Sequence, residues 1–152
     1  NTRDAILNEL HLVVIETYSP PEVSGAASLL VCLRVAPGFA LDLTQVDPDD
    51  GCPWNFDDPR KREKAMAMLK SERPMLLVGS PMCTAFSSWQ RVNDKIRDPE
   101  VCAAEKKRAL IHLSFCVDLY REQHRCGRYF LHEHPASASS WSRTRFSAPS
   151  RA

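Results

Sequence analysis

The sequence lacks both a long apolar run and an excess of charge of one sign. No run approaches the about 20 apolar residues that a membrane-spanning helix needs. The 20 Lys and Arg residues nearly balance the 19 Asp and Glu residues, which leaves a formal net charge of +1. We therefore expect no membrane partner, and any contact with nucleic acid must depend on local patches rather than on the charge of the whole chain.

The sequence also lacks a Cys-x-x-Cys pair, although it contains six cysteines. They are scattered over positions 32, 52, 83, 102, 116 and 126. A secreted disulfide scaffold is usually shorter and richer in cysteine. We therefore expect reduced thiols, most of them small buried residues, and an intracellular location that includes the nucleus.

A length of 152 residues and a hydrophobic fraction of 43% suit one globular domain. The chain begins with Asn1 rather than Met and ends in a polar stretch, 142–152. We expect a single partial domain, truncated at both ends, with an ordered core from about residue 10 to about residue 135 and an irregular tail at 142–152. The sequence predicts no particular oligomeric state.

Short apolar runs alternate with helical patterns. The runs suit buried strands, and they are Leu12–Ile15, Phe39–Leu43, Met75–Val78 and Tyr129–Leu131. Three of the segments between these runs contain a capping residue followed by proline, which is typical of a helix start. They predict helices from Ser19 to Leu33, from Pro59 to Ser71 and from Asp98 to His124. The alternation predicts an α/β fold with a mostly parallel sheet and flanking helices, whose active site lies at the carboxyl ends of the strands.

Residues suited to catalysis follow three of these strands. The first runs into Glu16-Thr17-Tyr18, the third into Gly79–Ser87 and the fourth into His132–Pro135. We expect the three segments to face one crevice, because the carboxyl ends of parallel strands lie at one edge of a sheet. Cys83 is the candidate nucleophile, since a thiolate is soft and partly ionised near neutral pH, and Glu133 is the candidate acid.

Two of these segments resemble motifs of the cytosine-5 DNA methyltransferases. Gly79–Ser87 reads Gly-Ser-Pro-Met-Cys-Thr-Ala-Phe-Ser and resembles that family's nucleophile loop. His132–Pro135 resembles its Glu-Asn-Val motif, in the same order and after a long helix. From Val14 to Trp141 the chain is also similar to uncharacterised, retroelement-associated eukaryotic proteins. The resemblance implies a Rossmann-like class I methyltransferase core, S-adenosylmethionine as cofactor and nucleic acid, in the first place DNA, as partner.

The resemblance also implies a role for each matching residue. Cys83 would add to C6 of a flipped-out or single-stranded cytosine while Glu133 assists at N3. The residues implied to bind the base or its phosphate are Ser80, Pro81, Thr84, Ser87 and His134. Those implied to bind the cofactor are Glu16, Tyr18, Ser19, Asp42 and Asp57. Asp42 would hold the ribose hydroxyls, and Asp57 or Asn55 would face the adenine.

Several features depart from that family and favour a second hypothesis. The glycines expected after the first strand are absent, and Met82 replaces the proline before the nucleophile. A later Gln-x-Arg-x-Arg motif and a target-recognition domain are also missing. The alternative is a degenerate, non-catalytic Rossmann-like binding or scaffold domain, or a retroelement-derived fragment.

A third hypothesis is a cysteine hydrolase in which His132 or His134 activates Cys83. It requires one of these imidazoles within hydrogen-bond reach of the thiol. A metal site built from the two histidines with a cysteine has little support, because no paired cysteines accompany them. We therefore expect no metal. His112 and Cys116, four residues apart, are expected to be core residues, and the basic residues 106–108 are expected on a solvated helix face.

Overall fold

The structure is a computed structural model that describes residues 12–27, 29 and 35–142. Predictions for Cys32, for the second half of the first helix and for the tail beyond residue 142 lie outside the described residues. Within the described part, no helix combines the length and the apolar character that crossing a membrane requires.

Strands and helices alternate along the described chain. The strands are β1 (Leu12–Thr17), β2 (Val35–Leu41), β3 (Leu76–Gly79) and β4 (Tyr129–His132). The α-helices are α1 (Val23–Ala27), α2 (Pro59–Glu72), α3 (Ser88–Asn93) and α4 (Pro99–Arg125). The strands pair in the order β2-β1-β3-β4, and every pair is parallel. An α/β fold with a parallel sheet and flanking helices is thereby confirmed.

The strand order reverses direction at β1. The chain adds β2 on one side of β1, then returns to the other side to add β3 and β4. Thr17 at the end of β1 pairs with Gly79, which pairs with His132 at the end of β4. The three segments with the predicted motifs therefore start from neighbouring strand ends, where open α/β sheets bind their ligands.

The predicted starts of the two long helices are confirmed. The Asp58 carboxylate accepts a hydrogen bond from the Arg60 amide ahead of α2, and the Asp98 carboxylate accepts one from the Glu100 amide ahead of α4. A proline occupies the first turn in both cases, where its missing N–H costs nothing. Gly127 follows α4 with φ of 70°, a left-handed conformation that favours glycine.

The predicted start of the first helix was wrong. We expected Ser19 to cap it, but α1 begins at Val23. Its cap is the carboxylate of Glu16, at the end of β1, which accepts hydrogen bonds from the Val23 amide (3.1 Å) and the Ser24 amide (2.6 Å). The Ser19 hydroxyl instead donates to Glu16 Oε1 at 3.1 Å. A carboxylate satisfies two free amides of a helix start where a serine would satisfy one.

The second strand also starts earlier than predicted, so that Pro37 and Gly38 lie inside β2 rather than in a connection. A Cβ atom at Gly38 would lie 2.4 Å from Ile15 Cγ2 and 2.8 Å from the Val14 carbonyl oxygen. The pairing register of β1 with β2 shifts between Val14 and Glu16 at the same level. Glycine is therefore required here because the two backbones approach closely, and its presence does not indicate a turn.

The main core lies between one face of the sheet and helices α2 and α4. It combines residues from both layers, including Ile15, Leu77, Leu69, Phe115 and Tyr120. A smaller cluster joins Phe86, Ala109 and Leu113 to Ala138. Ala138 and Ser140 are buried, so the folded part extends beyond the core end expected at residue 135.

Candidate functional site

A cavity of 160 Å³ lies at the carboxyl ends of β1, β2 and β3, and we call it the first cavity. It brings together Tyr18 after β1, Asp42 after β2 and Ser80 after β3, three residues predicted for the site. Aromatic rings of Trp54 and Phe56 complete much of its wall. The cavity therefore combines apolar ring surfaces with a carboxylate and a hydroxyl. Its lining does not include Cys83 or Glu133.

Buried charges fix the loop that carries Trp54 and Phe56. Asp47, only 1% exposed, accepts hydrogen bonds from the ammonium groups of Lys61 (2.6 Å) and Lys64 on α2. Burial by itself would raise the pKa of Asp47, but the two ammonium groups outweigh it and lower the pKa to about 2. Both ammonium groups also lie over the Trp54 ring, 5.0 and 5.3 Å from its centroid. The loop is thus held against α2, and the wall of the first cavity is preformed.

A chain of hydrogen bonds crosses the floor of the first cavity. The Tyr18 hydroxyl lies 3.1 Å from His112 Nδ1, and His112 Nε2 lies 2.8 Å from Asp57 Oδ1. In the neutral imidazole, Nε2 must donate to the carboxylate and Nδ1 must accept from the phenol. The Arg108 guanidinium donates to both oxygens of Asp57, and this pairing, followed by that with His112, holds the pKa of Asp57 below its usual range.

Asp57 is therefore held by α4 and does not line the cavity, contrary to the expectation that it faces a ligand. Asn55, the second candidate for that contact, does line it. Tyr18 adopts φ of 61°, an unusual conformation for a residue other than glycine. Burial raises the pKa of Tyr18, so its phenol stays neutral and serves as a donor.

Two other residues expected to bind the cofactor support the turn after β1. Glu16 is fully buried, and the Ser24 hydroxyl donates to it in addition to the two amides at the start of α1. Burial would raise the pKa of Glu16, but hydrogen bonds from Ser24, Val23 and Ser19 lower it overall. Both Glu16 and Ser19 are absent from the lining of the first cavity. Their polar groups are used for hydrogen bonds inside the turn.

The loop after β3 carries Cys83 into a 3-10 turn, Thr84–Phe86. Cys83 is partly buried, whereas Phe86 is buried and anchors the turn in the smaller core cluster. The Ser87 hydroxyl accepts a hydrogen bond from the Gln90 amide at 3.1 Å and caps α3. Ser87 is therefore engaged in holding the loop, while Thr84 is exposed. We call residues 80–87 the nucleophile loop.

The segment after β4 is tied to the nucleophile loop. His134 is buried, and its Nε2 donates to the Pro81 carbonyl oxygen at 2.8 Å. Its Nδ1 then accepts from the Ser140 hydroxyl at 2.6 Å. Both ring nitrogens are engaged within the protein, so His134 braces the loop instead of facing an open site. Glu133 is exposed, and its amide donates to the Gly79 carbonyl oxygen at 2.9 Å.

His132 is partly buried, and its ring lies against those of Tyr120 and Trp141. Its Nδ1 lies 2.9 Å from the Tyr120 hydroxyl, and among the described residues its buried Nε2 has no hydrogen-bond partner. Burial, with a smaller effect of His134, lowers the pKa of His132 to about 4. Within the described part of the chain, neither His132 nor His134 is hydrogen-bonded to Cys83, so the base that a cysteine hydrolase requires is not in place.

The low pKa of His132 predicts a loss of stability in mild acid. The unfolded imidazole titrates near 6.5 and the folded one near 4, so the unfolded state binds more protons between these values. The free energy of unfolding is therefore not reduced by this histidine above pH 6.5, and it decreases as the pH falls from 6.5 towards 4. We expect urea denaturation midpoints to fall over this range, and His132→Gln to reduce the dependence. The exposed His124→Gln serves as the control, and equal pH dependence in both variants would contradict the assignment.

The contacts of Arg108 and His112 with Asp57 were not predicted from the sequence. Both lie on the α4 face that continues through Cys116 and Tyr120, at intervals of four residues. The available signal was two polar side chains at the start of a helix face that is otherwise apolar. Where such a face enters the core, the polar residues before it lie at the edge of the sheet and can contact residues there. The expectations of a buried histidine and a solvated arginine are confirmed, since His112 is 2% exposed and Arg108 is exposed, but they do not include the shared partner, Asp57.

The described residues contain no group of three or more His, Cys, Asp or Glu side chains placed to hold a metal ion. No protein-family model, curated protein or solved structure matches the chain.

Proposed function

We propose that the chain is a divergent cytosine-5 DNA methyltransferase-like domain in which Cys83 is the nucleophile and Glu133 its partner acid. The observation that carries the proposal is the hydrogen bond from His134 to the Pro81 carbonyl. It joins the segment next to Glu133 with the residue two positions before Cys83. Two chemically complementary side chains therefore sit on short segments that are fixed to each other.

The sheet gives independent support. A parallel sheet that reverses at β1 is the arrangement of a Rossmann-like core, and the first cavity lies at that reversal. The Cys83 and Glu133 segments follow adjacent strands, β3 and β4, on the same side of the reversal. This separation leaves the β1 and β2 side of the crevice for a cofactor and the β3 and β4 side for the base.

The residues of the first cavity fit part of S-adenosylmethionine. Its aromatic walls suit a ring, and the Asp42 carboxylate suits the hydroxyls of a ribose. Asp42 already accepts hydrogen bonds from the Thr44 amide (2.9 Å) and hydroxyl (2.8 Å), both through Oδ1, which leaves Oδ2 for a ligand. The cavity is smaller than the about 300–1,000 Å³ of most ligand sites, so we infer that it receives the nucleoside end only.

The proposed reaction assigns one role to each of these residues, Cys83 and Glu133. The Cys83 thiolate adds to C6 of cytosine while Glu133, as the acid, gives its proton to N3, so the ring does not accumulate negative charge. C5 becomes the attacking carbon. S-adenosylmethionine, when bound, supplies the electrophilic methyl group. Loss of the C5 proton to a solvent base then expels the Cys83 thiolate, and the N3 proton returns to the Glu133 carboxylate, so that the aromatic ring and both residues recover their starting states. The base must be outside a duplex to reach Cys83.

A specific observation favours the second candidate, a non-catalytic relative. The first amides of α1 are occupied by Glu16 and cannot receive a ligand carboxylate. Glycine-poor turns also keep a ligand away from the backbone. A domain of this kind would retain the fold and the aromatic cavity and would not bind the cofactor.

Binding of S-adenosylmethionine separates the two candidates. We expect saturable binding by calorimetry, and we expect Asp42→Ala to weaken it about tenfold, which corresponds to one lost hydrogen bond to a charged group. Asp118→Ala, on the exposed face of α4, is the matched control and should bind normally. Absence of binding at millimolar cofactor would refute the enzymatic proposal and leave the non-catalytic domain.

A further inference from the structure

A second cavity, of 490 Å³, lies on the other side of the nucleophile loop. It shares Met82 and Arg108 with the first cavity, so these two side chains form the wall between them. The remaining walls come from the nucleophile loop, from α3 and from the start of α4. Its volume lies within the range of about 300–1,000 Å³ that is usual for ligand sites. None of the residues that sequence motifs single out for cofactor binding lines it.

The charged groups of the second cavity are neutralised by partners inside the protein. Arg97 donates to both carboxylate oxygens of Glu105, at 2.9 and 2.6 Å. Arg108 donates in the same two-pronged way to Asp57. An anionic ligand would have to displace one of these paired carboxylates, which are strong hydrogen-bond acceptors. The cavity is therefore suited to a neutral ligand rather than to a phosphate.

The uncharged groups of the second cavity define what that ligand presents. Met82, Ala85 and Ala109 give an apolar surface, and they belong to the core cluster around Phe86. Asn93 and Gln90 on α3 add amide groups, which pair well with the donor and acceptor edge of a nucleobase. The side-chain Nε2 of Gln90 donates to Asp94 Oδ1 at 3.2 Å, which leaves the side-chain Oε1 of Gln90 as an acceptor for a ligand. A flat ring with a polar edge satisfies both kinds of surface.

We propose that the second cavity binds a nucleobase, namely the base that neighbours the reacting cytosine in the strand, with Asn93 and Gln90 contacting its edge. The assignment of this base as a neighbour rests on the proposed function. The nucleobase site itself rests on the cavity alone. Met82 and Thr84 flank Cys83 and line the cavity. Occupancy of the second cavity therefore bears directly on the position of the nucleophile, and Asn93 and Gln90 become specificity-determining residues.

The experiment compares free nucleosides with bases held in a strand. Calorimetry is performed with each of the four deoxynucleosides and with hexadeoxynucleotides that contain one cytosine next to each base in turn. We expect one base to be preferred, and Asn93→Ala to weaken its binding about tenfold, the effect of losing a paired amide contact. Lys107→Ala, on the exposed side of α4, should leave binding unchanged within about twofold.

The outcomes separate this proposal from the proposed function. Stronger binding of the hexanucleotides than of the nucleosides, with the same dependence on Asn93, identifies the ligand as a base within a strand. Equal binding overturns the assignment to a base within a strand and indicates a site for a free nucleoside. Two results overturn the proposal. One is binding that Asn93→Ala leaves unchanged, and the other is no binding of any of these probes at concentrations up to roughly 10 mM, about the weak limit of specific association. Asn93→Ala should bind S-adenosylmethionine normally, because Asn93 does not line the first cavity. If the unsubstituted chain binds these nucleoside probes but not S-adenosylmethionine, only the enzymatic function is refuted.

Discussion

Gly79→Ala is expected to lower the free energy of unfolding by about 3 kcal/mol, the upper end of the cost of overpacking a core. A Cβ atom at Gly79 would lie 2.1 Å from the Tyr120 hydroxyl and 2.8 Å from Cys116 Sγ. Neither neighbour can withdraw, because Tyr120 and Cys116 are fully buried and Tyr120 also donates to the Gly79 carbonyl. Urea denaturation followed by circular dichroism measures the change.

Two further variants show whether the clash is the cause. Gly25→Ala is the matched control, because a Cβ atom there meets nothing within 4 Å and alanine favours the helix. Adding Tyr120→Phe to Gly79→Ala removes the atom in closest contact and should recover part of the lost stability. If Gly79→Ala were as stable as the unsubstituted chain, α4 could not pack against β3 as described, and the position of the nucleophile loop would be wrong.

The largest expected effect on activity is that of Cys83→Ala. The thiolate is the only group that we assign to attack C6, so its removal should abolish methyl transfer to a cytosine-containing oligonucleotide, a loss of at least about 1,000-fold. Cys126→Ala removes an exposed thiol at the far end of α4 and should leave transfer unchanged. The measurement is incorporation of labelled methyl groups. Equal activity of Cys83→Ala and Cys126→Ala would exclude Cys83 as the nucleophile.

Most of the sheet could be predicted from the sequence because its strands are short, apolar and separated by strong helix starts. Asp58-Pro59 and Asp98-Pro99 combine a side-chain acceptor with a residue that needs no amide partner, so α2 and α4 begin where expected. Long-range contacts caused the errors. Gly38 is required by the approach of β2 to β1, and Glu16 caps a helix seven residues later. Neither contact is visible in the local pattern.

The candidate site could be predicted only in part, for a related reason. The strand-end rule correctly placed the three segments at neighbouring strand ends, since Thr17, Gly79 and His132 pair in register. No residue of His132–Pro135 lines either cavity, so the expectation that all three face one crevice holds only for the first two. It could not tell side chains that face a cavity from those that support the segment. Asp42 and Ser80 line the first cavity, whereas Glu16 and His134 use their polar atoms within the protein. Partner choice of this kind depends on the packed structure, in which buried polar groups must be satisfied.

The most direct test of Cys83 as a cytosine nucleophile is mass spectrometry of the protein with S-adenosylmethionine and an oligonucleotide that contains 5-fluorocytosine. Fluorine at C5 cannot leave as a proton, so the bond between Cys83 Sγ and C6 should persist after methyl transfer. We expect a covalent complex with the mass of the chain plus the methylated oligonucleotide, and its absence with Cys83→Ala. A chain that binds the cofactor and the oligonucleotide but forms no complex, or forms it equally with Cys83→Ala, would contradict the proposed function.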